Sequence, residues 1–166
     1  MIGFHYHNPV RLSFGRGTFD RLTQCLLKRD EQVLLVTGRG AARRLGYLDR
    51  AVEMLRTGGV EVSVYDQVPP NPTDETVREG AELARRHQCD LIVALGGGSS
   101  MDAAKGIAVA ATHDFPIREF LLAGEHGGKR VPTAATLPVV CVTTTAGTSS
   151  ELTPFAVITA TRTKEK

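Results

Sequence analysis

Apolar positions along the chain fall into a regular succession of short runs and longer helical stretches. Residues 4–7 and 10–14 alternate apolar with polar, the period-two pattern of half-buried strands, and Asn8-Pro9 predicts a turn between them. A short N-terminal β-hairpin is expected there. Gly15-Arg16-Gly17 breaks the alternation, and Thr18 is placed to cap a helix running to about Lys28. An apolar run at 32–37 then reads as a buried strand, followed by Gly38-Arg39-Gly40. Residues 41–57 carry helical periodicity, with Leu45, Leu48, Val52 and Leu55 on one face, and Gly58-Gly59 closes them. Residues 60–65 are strand-like, and Val68-Pro69-Pro70-Asn71-Pro72 forms a rigid loop. Thr73 caps the next helix, whose first turn carries Asp74 and Glu75, the charge sign that suits a helix start. That helix runs to about His87. Residues 90–95 are again a buried strand, followed by Gly96-Gly97-Gly98-Ser99-Ser100 and a helix from Met101 to about Thr112. A short helical piece is expected at 117–122, and strands at 137–143 and 155–159.

Strands alternating with helices of this length predict an α/β fold: a Rossmann-like, mostly parallel sheet with helices on both faces, preceded by the hairpin. With 166 residues, 42% of them apolar and 23% charged, the chain matches one globular domain, 1–166, with its own core. Twenty basic residues against 18 acidic leave a net charge of +2, and no long basic run marks a nucleic-acid surface. The three cysteines, Cys25, Cys89 and Cys141, are far apart in sequence and give neither a disulfide framework nor a CxxC site. No apolar stretch is long enough to cross a membrane, and no signal peptide is visible, so a cytoplasmic protein is expected.

The strongest chemical signal is the apolar strand ending in Gly96-Gly97-Gly98-Ser99-Ser100 and leading directly into a helix. Glycines let backbone approach an anion closely, and the free N–H groups at a helix start favour phosphate. Ser99 adds a hydroxyl donor; the alternative is a tight turn without a ligand. Asp102 and Lys105 lie three apart on one helical face. They read either as an intrahelical ion pair or as a carboxylate that caps the helix, bonds the glycine loop or meets a sugar or substrate hydroxyl. A second signal is Thr143-Thr144-Thr145-Ala146-Gly147-Thr148-Ser149-Ser150 after a buried strand. Its hydroxyls either line a nucleotide crevice at the strand's carboxyl end or form a plain loop. His5 and His7 share one face of the first expected strand, but solvated edge positions explain them; no metal site is expected in this chain.

The run Gly96-Gly97-Gly98-Ser99-Ser100-Met101-Asp102-Ala103-Ala104-Lys105 resembles the glycine signature of the iron-dependent (group III) alcohol dehydrogenases. Thr144-Thr145-Ala146-Gly147-Thr148-Ser149-Ser150-Glu151-Leu152-Thr153 resembles that family's second signature, and Pro70-Asn71-Pro72-Thr73 and Phe14-Gly15-Arg16-Gly17 resemble two more. Order and spacing agree along essentially the whole chain. The resemblance implies an NAD(P)-dependent oxidoreductase passing a hydride between a nicotinamide and an alcohol or aldehyde. This chain would be its dinucleotide-binding N-terminal half. It implies that Gly97, Gly98 and Ser99 cradle the pyrophosphate, that Asn71 reaches the ribose region, and that Thr144, Thr145 and Thr148 line the adenine and ribose side. Asp102 is a further contact candidate, and Lys166 falls where the family places a cofactor-contacting lysine.

Many NAD-preferring members of the family carry an acidic residue just after the strand that is expected here to end at Thr37. This chain has Gly38 and Arg39, with Arg43 close behind, so Gly38 would leave room for a 2′-phosphate and Arg39 would pair with it. NADP is therefore the first cofactor expected and NAD the second. On the rival reading Gly38-Arg39-Gly40 is itself a degenerate pyrophosphate loop, Asp66 holds the ribose and NAD is preferred; Arg43 stands where the G-x-G-x-x-G fingerprint needs its last glycine. The family's divalent metal, Fe²⁺ or Zn²⁺, is held by one Asp and three His that the resemblance places beyond Lys166. The chain alone is thus expected to bind nucleotide weakly at best and to be catalytically inert. A homodimer is compatible with the family. The alternatives are a non-catalytic nucleotide-binding or assembly fragment and, more distantly, the carbon–oxygen lyase chemistry of dehydroquinate synthases. The threonine-rich segment argues against the lyase.

Overall fold

The computed structural model describes residues 3, 5, 7–26, 31–120 and 128–162. Four strands form one sheet: β1 (Gln32–Gly38), β2 (Glu61–Val68), β3 (Leu91–Gly96) and β4 (Val139–Thr143). All pairings are parallel, in the order β2-β1-β3-β4. Between the strands lie α1 (Ala41–Arg44), α2 (Tyr47–Thr57), α3 (Asp74–Arg86) and α4 (Gly98–Thr112).

The alternation of side chains along β1 and β3 builds two cores. Leu34, Val36, Ile92 and Ala94 face α3 and α4, and join Val77, Ala81, Met101, Ala104 and Ile107. Val33, Leu35, Leu91, Val93 and Leu95 face the other way, onto Leu48, Ala51 and Leu55 of α2 and Leu22 of a 3-10 segment, Thr18–Cys25. Burial on both faces is why the two central strands read as continuous apolar runs rather than alternating ones. The Rossmann-like α/β architecture expected from the sequence is the one observed.

Chain order fixes where a ligand crevice opens. From β1 the chain passes through α2 to β2 on one side; from β2 it crosses back through α3 to β3 on the other. The order therefore reverses between β1 and β3. The crevice of an open α/β sheet lies at that switch point, outside the carboxyl ends of the strands. Those ends are Gly38 and Gly96.

Several expectations need correction. Of the expected N-terminal hairpin, residues 4 and 6 lie outside the described residues, and the second strand is absent: 10–14 contain no strand, and Leu12 and Phe14 are 61% and 95% exposed. A two-stranded hairpin is marginal by itself, and no sheet edge receives this segment. The helix expected over 41–57 is broken at Gly46, whose φ of 75° ends α1 in a left-handed cap and leaves Leu45 exposed. Residues 155–159 form a single bridge, Thr159 to Thr73, instead of a strand. The Thr159 backbone bonds Pro72 and Asp74, at the start of α3. α4 begins at Gly98, three residues earlier than expected, because glycine and serine accept the helical first turn. Among the described residues no helix is long and apolar enough to cross a membrane.

Candidate nucleotide-binding site

Two helix starts lie near the switch point, and they differ. α3 is closed by a capping box: the Thr73 hydroxyl accepts from the Thr76 amide at 3.2 Å, and the Thr76 hydroxyl accepts from the Thr73 amide at 3.4 Å. α4 is preceded by Gly97, which has no side chain, and no side-chain cap closes it. Its leading amides and the positive end of a 15-residue helix are left for an anion.

The three glycines before that helix have different reasons for being glycine. Gly96 has φ +149°, and a Cβ there would lie 2.5 Å from the Ser100 hydroxyl. A Cβ on Gly97 would meet Thr145 Oγ1 at 3.0 Å, and one on Gly98 would meet Thr148 Cγ2 at 3.2 Å. The loop after β4 thus lies directly on the glycine turn. Its register is set by the Thr144 amide, which donates to the Gly96 carbonyl at 2.9 Å. Thr143, Thr144, Thr145 and Thr148 are all exposed, and Thr145 and Thr148 lie against Gly97 and Gly98.

The loop between β2 and α3 approaches from the other flank. Asn71 adopts φ 55°, and its amide donates to the Ser99 hydroxyl at 3.3 Å. Gly38 sits beside the turn; a Cβ there would meet the Val68 carbonyl at 3.5 Å and the Ser100 hydroxyl at 3.9 Å, ordinary contacts. At the adjoining end of β2, Asp66 accepts from Arg43 Nη2 at 3.0 Å and from Gln67 Nε2 at 2.7 Å. The Gln67 and Arg43 hydrogen bonds hold the Asp66 carboxyl below the usual carboxylate range.

Of the residues singled out in the sequence, Gly38, Asn71, Gly97, Gly98, Ser99, Thr144, Thr145 and Thr148 are brought together around the start of α4. Arg39 is exposed and is tethered through its Nε alone, which donates to the Gln67 carbonyl at 3.2 Å. Asp102 is directed elsewhere. One oxygen accepts from the Ser150 hydroxyl at 2.6 Å and the other from the Val157 amide at 3.0 Å. It neither caps α4 nor bonds the glycine turn, and the intrahelical pair with Lys105 exists at 3.7 Å. Lys166 lies outside the described residues.

Sequence reading missed the partners of Lys105. Its ammonium donates to the Ser150 carbonyl at 2.6 Å, the Ser150 hydroxyl at 2.8 Å and the Phe155 carbonyl at 2.7 Å. Burial pushes the amine below its usual range while Asp102 opposes the shift. No local pattern announces this contact, because Ser150 is 45 residues away in sequence. Among the described residues no group of three His, Cys, Asp or Glu is placed to hold a metal.

Comparison with known proteins shows the family. The family described as iron-containing alcohol dehydrogenase is matched over residues 9–166. A 1,3-propanediol dehydrogenase of Klebsiella pneumoniae is 43% identical over 144 residues, which are 86% of this chain and 36% of that protein. A probable NADH-dependent butanol dehydrogenase of Bacillus subtilis is 36% identical over 166 residues, all of this chain and 41% of its own length. The crystal structure of an NADH-dependent butanol dehydrogenase from Thermotoga maritima superposes with a TM-score of 0.90 at 32% identity, covering 99% of this chain and 40% of that one. The chain therefore spans roughly two-fifths of the length of the relatives it matches.

Proposed function

Because the chain belongs to the iron-containing alcohol dehydrogenase family, we propose that residues 1–166 are the dinucleotide-binding half of an NAD-dependent dehydrogenase acting on a small alcohol or aldehyde. The observation that carries the reading is the uncapped start of α4 at the β1/β3 switch point, ringed by Ser99, Asn71 and the threonine loop.

The nicotinamide cofactor, when bound, supplies the hydride acceptor and donor. The chain's own part is binding and orientation. The amides at Gly98 and Ser99 and the α4 dipole hold the pyrophosphate. Gly97 and Gly98 let the threonine loop close on the turn, so that Thr144, Thr145 and Thr148 offer hydroxyls to the sugar and base. Asn71, fixed in a left-handed conformation, approaches from the α3 side. Asp102 is assigned to the fold rather than to the cofactor.

NADP, the first choice from Gly38 and Arg39, is replaced by NAD. Relatives matching the whole chain carry NADH in their names, and Arg43 is paired with Asp66 at the end of β2. Among the described residues no group of side chains fits a divalent metal, and the chain's own part is confined to the nucleotide. Propanediol and butanol dehydrogenases among the relatives support a short alcohol or its aldehyde as substrate.

Fluorescence titration of the chain with NADH tests the proposal. Saturable binding, weakened at least tenfold by Gly98→Val, is expected. Equal binding by wild type and Gly98→Val would place the nucleotide elsewhere.

A further inference from the structure

Cofactor choice between NAD and NADP turns on what meets the 2′ position of the adenine ribose. Steric exclusion is not available at Gly38, where even an added Cβ finds only ordinary contacts at 3.5 Å and beyond. Charge must then decide. Arg39 and Arg43 follow β1 directly, which on sequence alone reads as a phosphate pocket. In the fold the Arg43 guanidinium is drawn onto the end of β2, and Arg39 touches that end through its Nε. Arg43 Nη2 donates to Asp66 Oδ2 at 3.0 Å, and its other terminal nitrogen lies 3.9 Å from Asp49. Arg39 donates to the Gln67 carbonyl. Gln67 also braces the second oxygen of Asp66, at 2.7 Å.

We infer that Asp66 is the specificity-determining residue of the nucleotide site, selecting NAD over NADP by neutralising Arg43 and presenting its own carboxylate toward the ribose; this rests on the cofactor reading above. A 2′-hydroxyl is a donor and is compatible with a carboxylate. A 2′-phosphate has to take Arg43 away from Asp66 and then lie against the uncompensated charge. Discrimination comes from this penalty on the wrong ligand as much as from contacts to the right one. Arg43 keeps 58% of its side chain exposed, so the pair is open enough to be re-sorted by a single substitution.

The test measures Kd for NADH and NADPH at one fixed ionic strength in four proteins: wild type, Asp66→Asn, Arg43→Gln and the double variant. Wild type is expected to prefer NADH. Asp66→Asn keeps the side chain's shape, frees Arg43 and should lower the NADPH-to-NADH Kd ratio roughly tenfold. Arg43→Gln should raise that ratio, and the double variant should lose the gain in NADPH binding. An unchanged ratio in Asp66→Asn, or a gain that persists in the double variant, overturns the inference while leaving the cofactor site intact. Loss of both nucleotides in Asp66→Asn would make the residue a general ribose contact and also overturns selection by charge. A wild type that binds neither nucleotide overturns the cofactor reading itself.

Discussion

Lys105 on α4 and Ser150 on the loop after β4 are joined twice, through the Ser150 carbonyl at 2.6 Å and its hydroxyl at 2.8 Å. The Phe155 carbonyl takes the third ammonium proton, so every donor of the cation is used. Asp102 completes the clasp by accepting from Ser150 and Val157. One helix turn up the chain, Thr148 lies on Gly98, and its hydroxyl accepts from the Ser150 amide at 3.4 Å. The second turn of α4 thereby fixes the loop that lies over its first turn.

Lys105→Met is expected to destabilise the protein by about 3 kcal/mol, because it leaves a largely buried carboxylate without its cation. The side chains of Lys105 and Asp102 are only 15% and 14% exposed. Urea denaturation checks this. Asp102→Asn in the Lys105→Met background should cost clearly less than Asp102→Asn alone, the signature of coupled sites.

The neighbouring glycines should respond differently to alanine. At Gly96 the φ of +149° is hostile to any side chain, so Gly96→Ala is expected to lose about 1–3 kcal/mol of stability. At Gly98 the conformation is helical and the obstacle is Thr148, at 3.2–3.3 Å. Gly98→Ala should leave the melting midpoint within a few degrees of wild type, since helix propensity rises as the contact tightens. NADH affinity should nevertheless fall, because the threonine loop is displaced. Thermal melts beside NADH titrations separate the two outcomes.

Close packing of α3 on α4 depends on Gly80. A Cβ there would run into Ile107, with Cγ1 at 2.7 Å, in a side chain that has no exposed surface. Gly80→Ala should cost about 1–3 kcal/mol by overpacking, and Ile107→Val in the same protein should recover part of it. Denaturation midpoints with unchanged slope would identify the effect as stability alone.

Burial pushes the Cys89 thiol from 9.0 up to about 11. Between those values the unfolded chain gives up the thiol proton while the folded chain keeps it. The folded state then binds more protons, so stability falls as pH rises through this window. Cys89→Ala should flatten that part of the stability curve, measured by urea titration from pH 8 to 11; an unaltered slope would assign the alkaline loss to other groups.

Much of the sheet was legible because β1 and β3 are buried on both faces, which leaves an uninterrupted apolar signature at 32–37 and 90–95. The cap at Thr73 was equally legible, since capping is local chemistry. Where the reading failed, the deciding partner was distant or missing. Residues 10–14 have the alternation of a strand but pair with none among the described residues. Residues 155–159 have strand composition, but Thr159 bonds Pro72 and Asp74, while the Phe155 carbonyl and Val157 amide bond Lys105 and Asp102.

The sequence by itself determined the α/β class, the glycine turn feeding a helix, and the family signatures, because periodicity, φ preference and capping act within a few residues of each other. It did not determine which charges would be free. Asp102 and Lys105 looked available to a ligand until the fold brought Ser150 and Phe155 onto them, and Arg39 and Arg43 looked like a phosphate pocket until β2 brought Gln67 and Asp66 alongside. Those partners lie 23 to 50 residues away. Only the parallel crossovers, which return each strand beside one formed much earlier, decide which donors and acceptors are consumed by the fold and which remain for the nucleotide.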